Sequence, residues 1–154
     1  MILWIAIGSP LHAQWVLTEF LANNQGGLRD ADGETSDWIE VQSVSITSQN
    51  LAQWSLTDDV TQPQLWVFPG TNLPPGAFLV VFASGKNRTN AGAELHTSFG
   101  LSGGGGYLAL FAPESTVPTT DFSSYPPQRA NISYGNRDGQ PYFFSSSHFE
   151  GNRV

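Results

Sequence analysis

The sequence predicts an all-β chain folded as one antiparallel β-sandwich, and three observations predict it. No window keeps apolar residues at i, i+3, i+4 and i+7 for long enough to make a helix. Short apolar or alternating runs recur instead, each bounded by turn residues, in the rhythm of a sandwich. Sixteen glycines and ten prolines among 154 residues are too many for a helix-rich fold of this size. Interleaved with apolar runs and lacking a collagen period, they read as punctuation between strands and not as disorder. A chain that is 40% hydrophobic and 12% aromatic can close one core, so a single domain of roughly seven to nine strands is expected.

The amino terminus, MILWIAIGSPLHAQ, has an apolar run from Ile2 to Ile7, a Gly8-Ser9-Pro10 break and a small Ala13. This is the pattern of a secretory signal cut between Ala13 and Gln14, although no basic residue precedes the apolar run. The expected organisation is a signal peptide at residues 1–13, a sandwich domain at 14–150 and a tail at 151–154 of a chain that reads as a fragment. The mature part contains no stretch of the roughly 18 apolar residues that cross a membrane.

From Trp15 onward each strand has its own signature. WVLTEFLA (15–22) opens the sheet. WIEVQSV (38–44) alternates, with Ile39, Val41 and Ser43 on one face and Trp38, Glu40 and Gln42 on a face expected to be wet. NLAQWSLTDD (50–59) alternates again, placing Ala52, Trp54 and Leu56 inward and Gln53, Ser55 and Thr57 outward. QLWVFP (64–69) ends at GTNLPPG, whose prolines and glycines do not belong inside a sheet. FLVVFA (78–83) is apolar throughout, as in a strand buried on both faces. LSGGGGYLALFA (101–112), SSYPPQRANISYG (123–135) and QPYFF (140–144) supply the remaining strands or edges. The predicted core is Ile39, Val41, Trp54, Leu56, Val67, Leu79, Val81, Leu108 and Leu110.

The order of segments resembles the lamin tail domain in the form found in secreted bacterial proteins, over roughly residues 16 to 144. The resemblance rests on the acidic loop closing on DWIE, on NLAQWSLTDD, on WVFPGTNLPPGAFLVVFASGK and on FGLSGGGGYLALF, in that order. It implies an immunoglobulin-like sandwich and a non-catalytic module, one that binds or spaces other domains at a cell surface or outside the cell. The coiled-coil rod and the basic patch of the nuclear relatives are missing here, so chromatin is not carried over as a partner. The implied partners are other extracellular domains or surface polymers, polysaccharide among them.

Charge limits the function classes further. A formal net charge of −7 repels phosphate backbones, which speaks against nucleic acid. The chain has no cysteine, which removes thiolate chemistry and cysteine zinc sites. His12, His96 and His148 have no ligand partner at short spacing. Gly100-Leu101-Ser102-Gly103-Gly104 fits G-x-S-x-G, with Asp121 or Asp138 and His148 following in the order of a serine hydrolase. That motif needs a strand, a sharp turn and then a helix, whereas a strand follows here. Trp15, Trp38, Trp54 and Trp66 raise a carbohydrate-binding alternative, because sugars stack on exposed rings, although their positions fit core better. Asn87-Arg88-Thr89 and Asn131-Ile132-Ser133 are N-x-S/T triplets, relevant only where the host glycosylates.

One stretch has a composition of its own. GLRDADGETSDWIE (27–40) holds Asp30, Asp32, Glu34, Asp37 and Glu40 in a chain only 12% charged. Oxygen ligands at alternate positions with Gly33 between them suit a loop calcium site built from Asp30, Asp32 and Asp37. The EF-hand frame fails, since Thr35 stands where its glycine and Val41 where its glutamate would be. Asp-rich turns also form without metal, through bonds to nearby backbone N–H groups. No cofactor is required by the sequence, and calcium is the one it admits.

Overall fold

The computed structural model describes residues 14–144. The expected signal peptide, His12, His148 and the tail lie outside the described residues. Twelve strands form within them: β1 (Trp15–Leu21), β2 (Asp37–Ser43), β3 (Gln49–Asn50), β4 (Ser55–Thr57), β5 (Trp66–Val67), β6 (Asn72–Leu73), β7 (Phe78–Ala83), β8 (Leu95–His96), β9 (Gly106–Phe111), β10 (Pro118–Tyr125), β11 (Ser133–Arg137) and β12 (Gln140–Phe144). One sheet runs β12-β11-β1-β2-β7-β8, a second runs β10-β9-β4-β5, and β3 pairs with β6 in a short ribbon. Every pairing is antiparallel except β7 with β8. The strand count exceeds the expected range because the two-residue strands β3, β6 and β8 form in connecting stretches, β6 within GTNLPPG, which was expected to lie outside any sheet and pairs with β3 through Leu73 and Asn72.

The main core lies between the two large sheets. Trp15, Leu17, Phe20, Ile39, Val41 and Val81 from one meet Leu56, Trp66, Leu108, Leu110, Phe122 and Tyr125 from the other. Phe20 sits at its aromatic centre, with ring centroids 5.3 Å from Phe122, 4.7 Å from Tyr125 and 5.7 Å from Tyr134. A bulge makes this possible. The β1–β2 register slips between Leu17 and Glu19, so Leu17 and Phe20, three residues apart, both face the core. The Leu17 N–H at the bulge bonds to Thr120 Oγ1 on β10 at 2.9 Å. The bulge also dictates a glycine on β11, because a Cβ on Gly135 would lie 2.3 Å from the Thr18 carbonyl oxygen.

Several local expectations change. The face of β2 expected to be wet is closed: Trp38 packs with Leu21 and Phe82 in a second cluster, flanked by Leu28 and Val80, and Glu40 is buried as well. NLAQWSLTDD is not one strand. Gln53 adopts φ 69°, and this turn sends Leu51 and Trp54 into the core in place of Ala52. Ser55 and Thr57 are buried rather than outward, because the following loop folds over them: Ser55 Oγ donates to the Pro63 carbonyl and Thr57 Oγ1 to that of Asp59. Val67 is 37% exposed while Trp66 and Phe68 on either side are buried. Leu79 is only half-buried, and in FLVVFA only Val81, Phe82 and Ala83 are fully enclosed. The four tryptophans weighed as a sugar platform, Trp15, Trp38, Trp54 and Trp66, are all interior.

Candidate functional site

The acidic segment is the second half of the loop between β1 and β2. Asn24, buried at the loop's start, ties its ends together: Nδ2 donates to the carbonyls of Leu28 and Ser36 at 2.7 and 2.8 Å, and Oδ1 accepts from the Gly27 N–H. Asp30 then organises the tip. Its Oδ1 accepts from the Asp32 and Glu34 N–H groups at 3.0 and 2.9 Å, and its Oδ2 accepts from the Ser36 hydroxyl at 3.2 Å. A turn closes over it with Gly33 at φ 84°, a conformation that glycine adopts without steric cost. The local part of the sequence reading, aspartate building a turn through its own backbone, is what forms.

The cation partner comes from a distant segment. Between β7 and β8 the chain makes a polar excursion, and Lys86 Nζ reaches back to Asp30 Oδ2 at 2.5 Å, Asp32 Oδ2 at 2.6 Å and Glu34 Oε2 at 2.9 Å. Arg88 adds a bond from Nη2 to Asp32 Oδ2 at 2.7 Å. The Asp30 carboxylate is fully enclosed, while Asp32, Glu34 and Arg88 are open to solvent. Burial pushes the Asp30 carboxyl up, but the Lys86 bond and the Glu34 amide outweigh it, so it stays below the usual range. Bonds from Arg88 and Lys86 hold Asp32 down to about 2. Hydrogen bonds donated to Asp30, Asp32 and Glu34 raise the Lys86 ammonium above its ordinary value.

A second set of contacts locks the same two loops. Glu94 Oε1 accepts from the Ala31 N–H at 2.8 Å and lies 3.0 Å from His96 Nε2. His96 is buried and stacked on Phe82, and its Nδ1 is 2.8 Å from Ser84 Oγ. A carboxylate only accepts, so Nε2 carries the proton toward Glu94 and Nδ1 accepts from the Ser84 hydroxyl. The serine, histidine and glutamate thus form a closed chain in which the imidazole has no free edge toward solvent.

Of the three residues expected to hold calcium, the structure brings Asp30 and Asp32 together and adds Glu34, their ligand oxygens lying within 4.8 Å of one another. Asp37 faces elsewhere, accepting from the backbone of Asn24 at 3.2 Å and of Leu101. Burial raises its carboxyl, against the pull of those two amides. The point where the three carboxylates converge holds the Lys86 ammonium, so a divalent ion has to displace a cation already in place. Ser102 lies in a turn between strands: its Oγ accepts from the Gly104 N–H, its backbone N–H bonds to Tyr125 Oη, and strand β9, not a helix, follows. Asp121 lies on β10 and Asp138 in the turn between β11 and β12. Sequence reasoning missed Ser84, Arg88, Glu94 and His96 as members of this site. The signal for Lys86 was in view, since it is the only lysine of the chain.

The match to a family model, Lamin Tail Domain, covers residues 13–126. The chain belongs to the lamin tail domain family. A search of curated proteins finds no match. The family is a non-enzymatic, immunoglobulin-like one, and the layered sheets agree with it. The whole loop network lies inside the matched stretch. Strands β11 and β12 lie after it, yet Tyr134 of β11 packs on Phe20 and Phe122, so here the lamin tail domain continues structurally through that hairpin.

Proposed function

We propose that this lamin tail domain is a non-catalytic binding or spacer module of a secreted or cell-surface protein. The observation that carries the reading is the use made of its reactive side chains. Lys86, Asp30, Asp32, His96 and Ser84, which would serve an active site, are spent on one another in tying two loops to one end of the sandwich. An arrangement with every donor matched to an acceptor stiffens a surface; it leaves no base free to take a proton from a substrate. Screening ester, peptide and glycoside substrates with the wild type beside Ser102→Ala and Ser84→Ala tests this. No turnover is expected, and a turnover lost in either variant overturns the reading.

The carbohydrate alternative keeps one specific observation. With the four tryptophans interior, the most exposed ring among the described residues is Tyr142, 51% exposed, with the Arg137 guanidinium 5.9 Å from its centroid. A glycan array in which binding is abolished by Tyr142→Ala would favour it over a spacer role. The N-terminal sequence of exported protein, expected to begin at Gln14, tests the compartment.

A further inference from the structure

The described cations fall into two groups. Lys86 and Arg88 are held by carboxylates and Arg29 donates from Nη1 to the Gly33 carbonyl, so three of them are spent at the acidic loop. The guanidiniums of Arg129 and Arg137 have no hydrogen bond or ion pair among the described residues, and each lies beside a ring of β12. Arg129 is 5.1 Å from the Phe143 centroid and Arg137 5.9 Å from that of Tyr142. Asp138 is the only acidic residue from Pro126 to Phe144. Because Phe20 pairs with Tyr134 and Glu19 with Gly135, β11 runs away from the acidic loop that follows Leu21. Its length, about 13 Å from Ser133 to Arg137, exceeds the roughly 8 Å over which charge acts at physiological salt. Glu19 is 4% exposed and offers a ligand no surface.

One face of the β11–β12 hairpin gathers three side chains. Arg137 and Gln140 are cross-strand partners and Tyr142 lies two residues beyond Gln140, so all three point the same way. The Arg137 guanidinium flanks the Tyr142 ring without covering it, since the residue is half open to solvent. A ring for stacking, an amide for hydroxyl groups and a planar fork for a carboxylate therefore stand side by side. A peptide would instead use the open edge of β12, and that edge is one donor short. The turn residues Asp138 and Gly139, with φ 53° and 79°, form the hairpin type whose flanking residues, Arg137 and Gln140, exchange hydrogen bonds. Asn136 and Pro141 are then a pair without them, and the proline nitrogen, which carries no hydrogen, faces outward. A sugar needs no such ladder.

We propose, resting on the carbohydrate reading of Tyr142, that Arg137, Gln140 and Tyr142 form a binding site for a carboxylated sugar, a uronic acid residue of a polysaccharide. The sugar ring stacks on Tyr142, a hydroxyl meets the Gln140 amide, and the carboxylate takes the Arg137 fork. The charge is what selects the ligand: a carboxylate gives the guanidinium two charge-assisted bonds where a neutral sugar gives weaker ones. Arg129 stands beside Phe143, on the opposite face of β12, and supplies an internal control, because removing it takes away an equal charge and leaves the site intact.

Binding of galacturonate, mannuronate and guluronate tetramers to the whole chain, each beside its methyl ester and without calcium, decides it. The ester keeps the ring and the hydroxyl groups and removes the charge. At least one acid form should bind about tenfold more tightly than its ester, and less tightly as salt is added. Arg137→Gln should bring acid and ester together, Arg129→Gln should leave the preference in place, and Tyr142→Ala should abolish binding of both. Equal binding of acid and ester, or a preference that survives Arg137→Gln, overturns the carboxylate assignment and leaves the carbohydrate reading standing. Binding of neither form overturns the assignment too, and a glycan array without hits then removes the carbohydrate reading with it. A hexaglutamate peptide bound as tightly as the tetramers overturns the choice of sugar over peptide. The three side chains are exposed and the comparison of acid with ester needs no variant, so a misfolded substitution does not shield the proposal.

Discussion

Replacing Asp30 by alanine removes the acceptor of four donors at once: the Asp32 and Glu34 amides, the Ser36 hydroxyl and the Lys86 ammonium. Bonds that involve a charged partner contribute about 1.5–3 kcal/mol each, and a buried donor left without an acceptor costs about 1–3 kcal/mol. Asp32 and Glu34 are exposed, so water can reach their amides and recover part of the loss. The expected destabilisation is therefore about 3 kcal/mol, well below the sum of four bonds, and in a domain of this size it lowers the melting temperature by roughly 6–12 °C. Asp30→Asn, which keeps one acceptor oxygen for the two amides but loses the charge, should fall between alanine and wild type. Asp32→Ala breaks solvent-exposed contacts and should change stability least of the three. Urea unfolding with a common m-value reads the series. If Asp30→Ala unfolds within about 0.5 kcal/mol of wild type, or if Asp32→Ala costs as much, the loop is not held by its buried carboxylate and the reasoning fails.

Three further outcomes follow from the same geometry. Asp30 and Asp32 have folded values below the ordinary 3.8, Asp32 at about 2, so their stabilisation is present above pH 4 and lost as pH falls toward 2; acid unfolding of Asp32→Asn should show a shallower slope in that window than wild type. Lys86→Met should melt below wild type, and adding several millimolar calcium should raise its melting temperature more than that of wild type, because the competing ammonium is gone; an equal response in both proteins would mean that the lysine does not occupy the cation position. Gly135→Ala should cost at least about 2 kcal/mol, since the new Cβ meets a backbone oxygen that cannot move aside, whereas Gly26→Ala, with open space around it, should stay within about 0.5 kcal/mol in the same assay.

The architecture was legible because period-two patterning and turn residues report on the backbone directly. What the pattern does not carry is absolute direction and the positions where parity breaks. WVLTEFLA reads as an uninterrupted strand, yet Thr18 is an extra residue whose bulge is held by Thr120, 103 residues away. Val67 was expected inside, but it alternates with Trp66 and Phe68, and the two larger apolar side chains take the core since they bury more area. Strand β10 was largely missed because PTTDFSSY is polar, bulged against β9, and buries only Phe122 and Tyr125. Glu40 was placed on a wet face for a sound reason, that charge favours water, but Leu21, Trp38 and Phe82 close that face and Glu40 is buried on it.

The acidic loop shows most clearly where local reading stops. Its carboxylates stand out in the sequence, and GKNRTNAGAE between β7 and β8 is polar, but nothing in either segment says that they touch. The missing link is the β2–β7 register. Asp37 pairs with Ala83, so the chain entering β2 and the chain leaving β7 are at the same end of the sheet, and their loops have to share space. Once they do, turns complete the match. Asp30 and Asp32, Lys86 and Arg88, Glu94 and His96 are each two residues apart, the first pair gathered by the turn at Gly33 and the second flanking Asn87, whose φ is 51°. The first two pairs engage through the Lys86 and Arg88 bonds, and the third closes the lock through Ala31 and Ser84. A single lysine in the chain then accounts for why a loop with the composition of a metal site is neutralised from within the domain. Strand order is the step that turns the composition of that loop into chemistry.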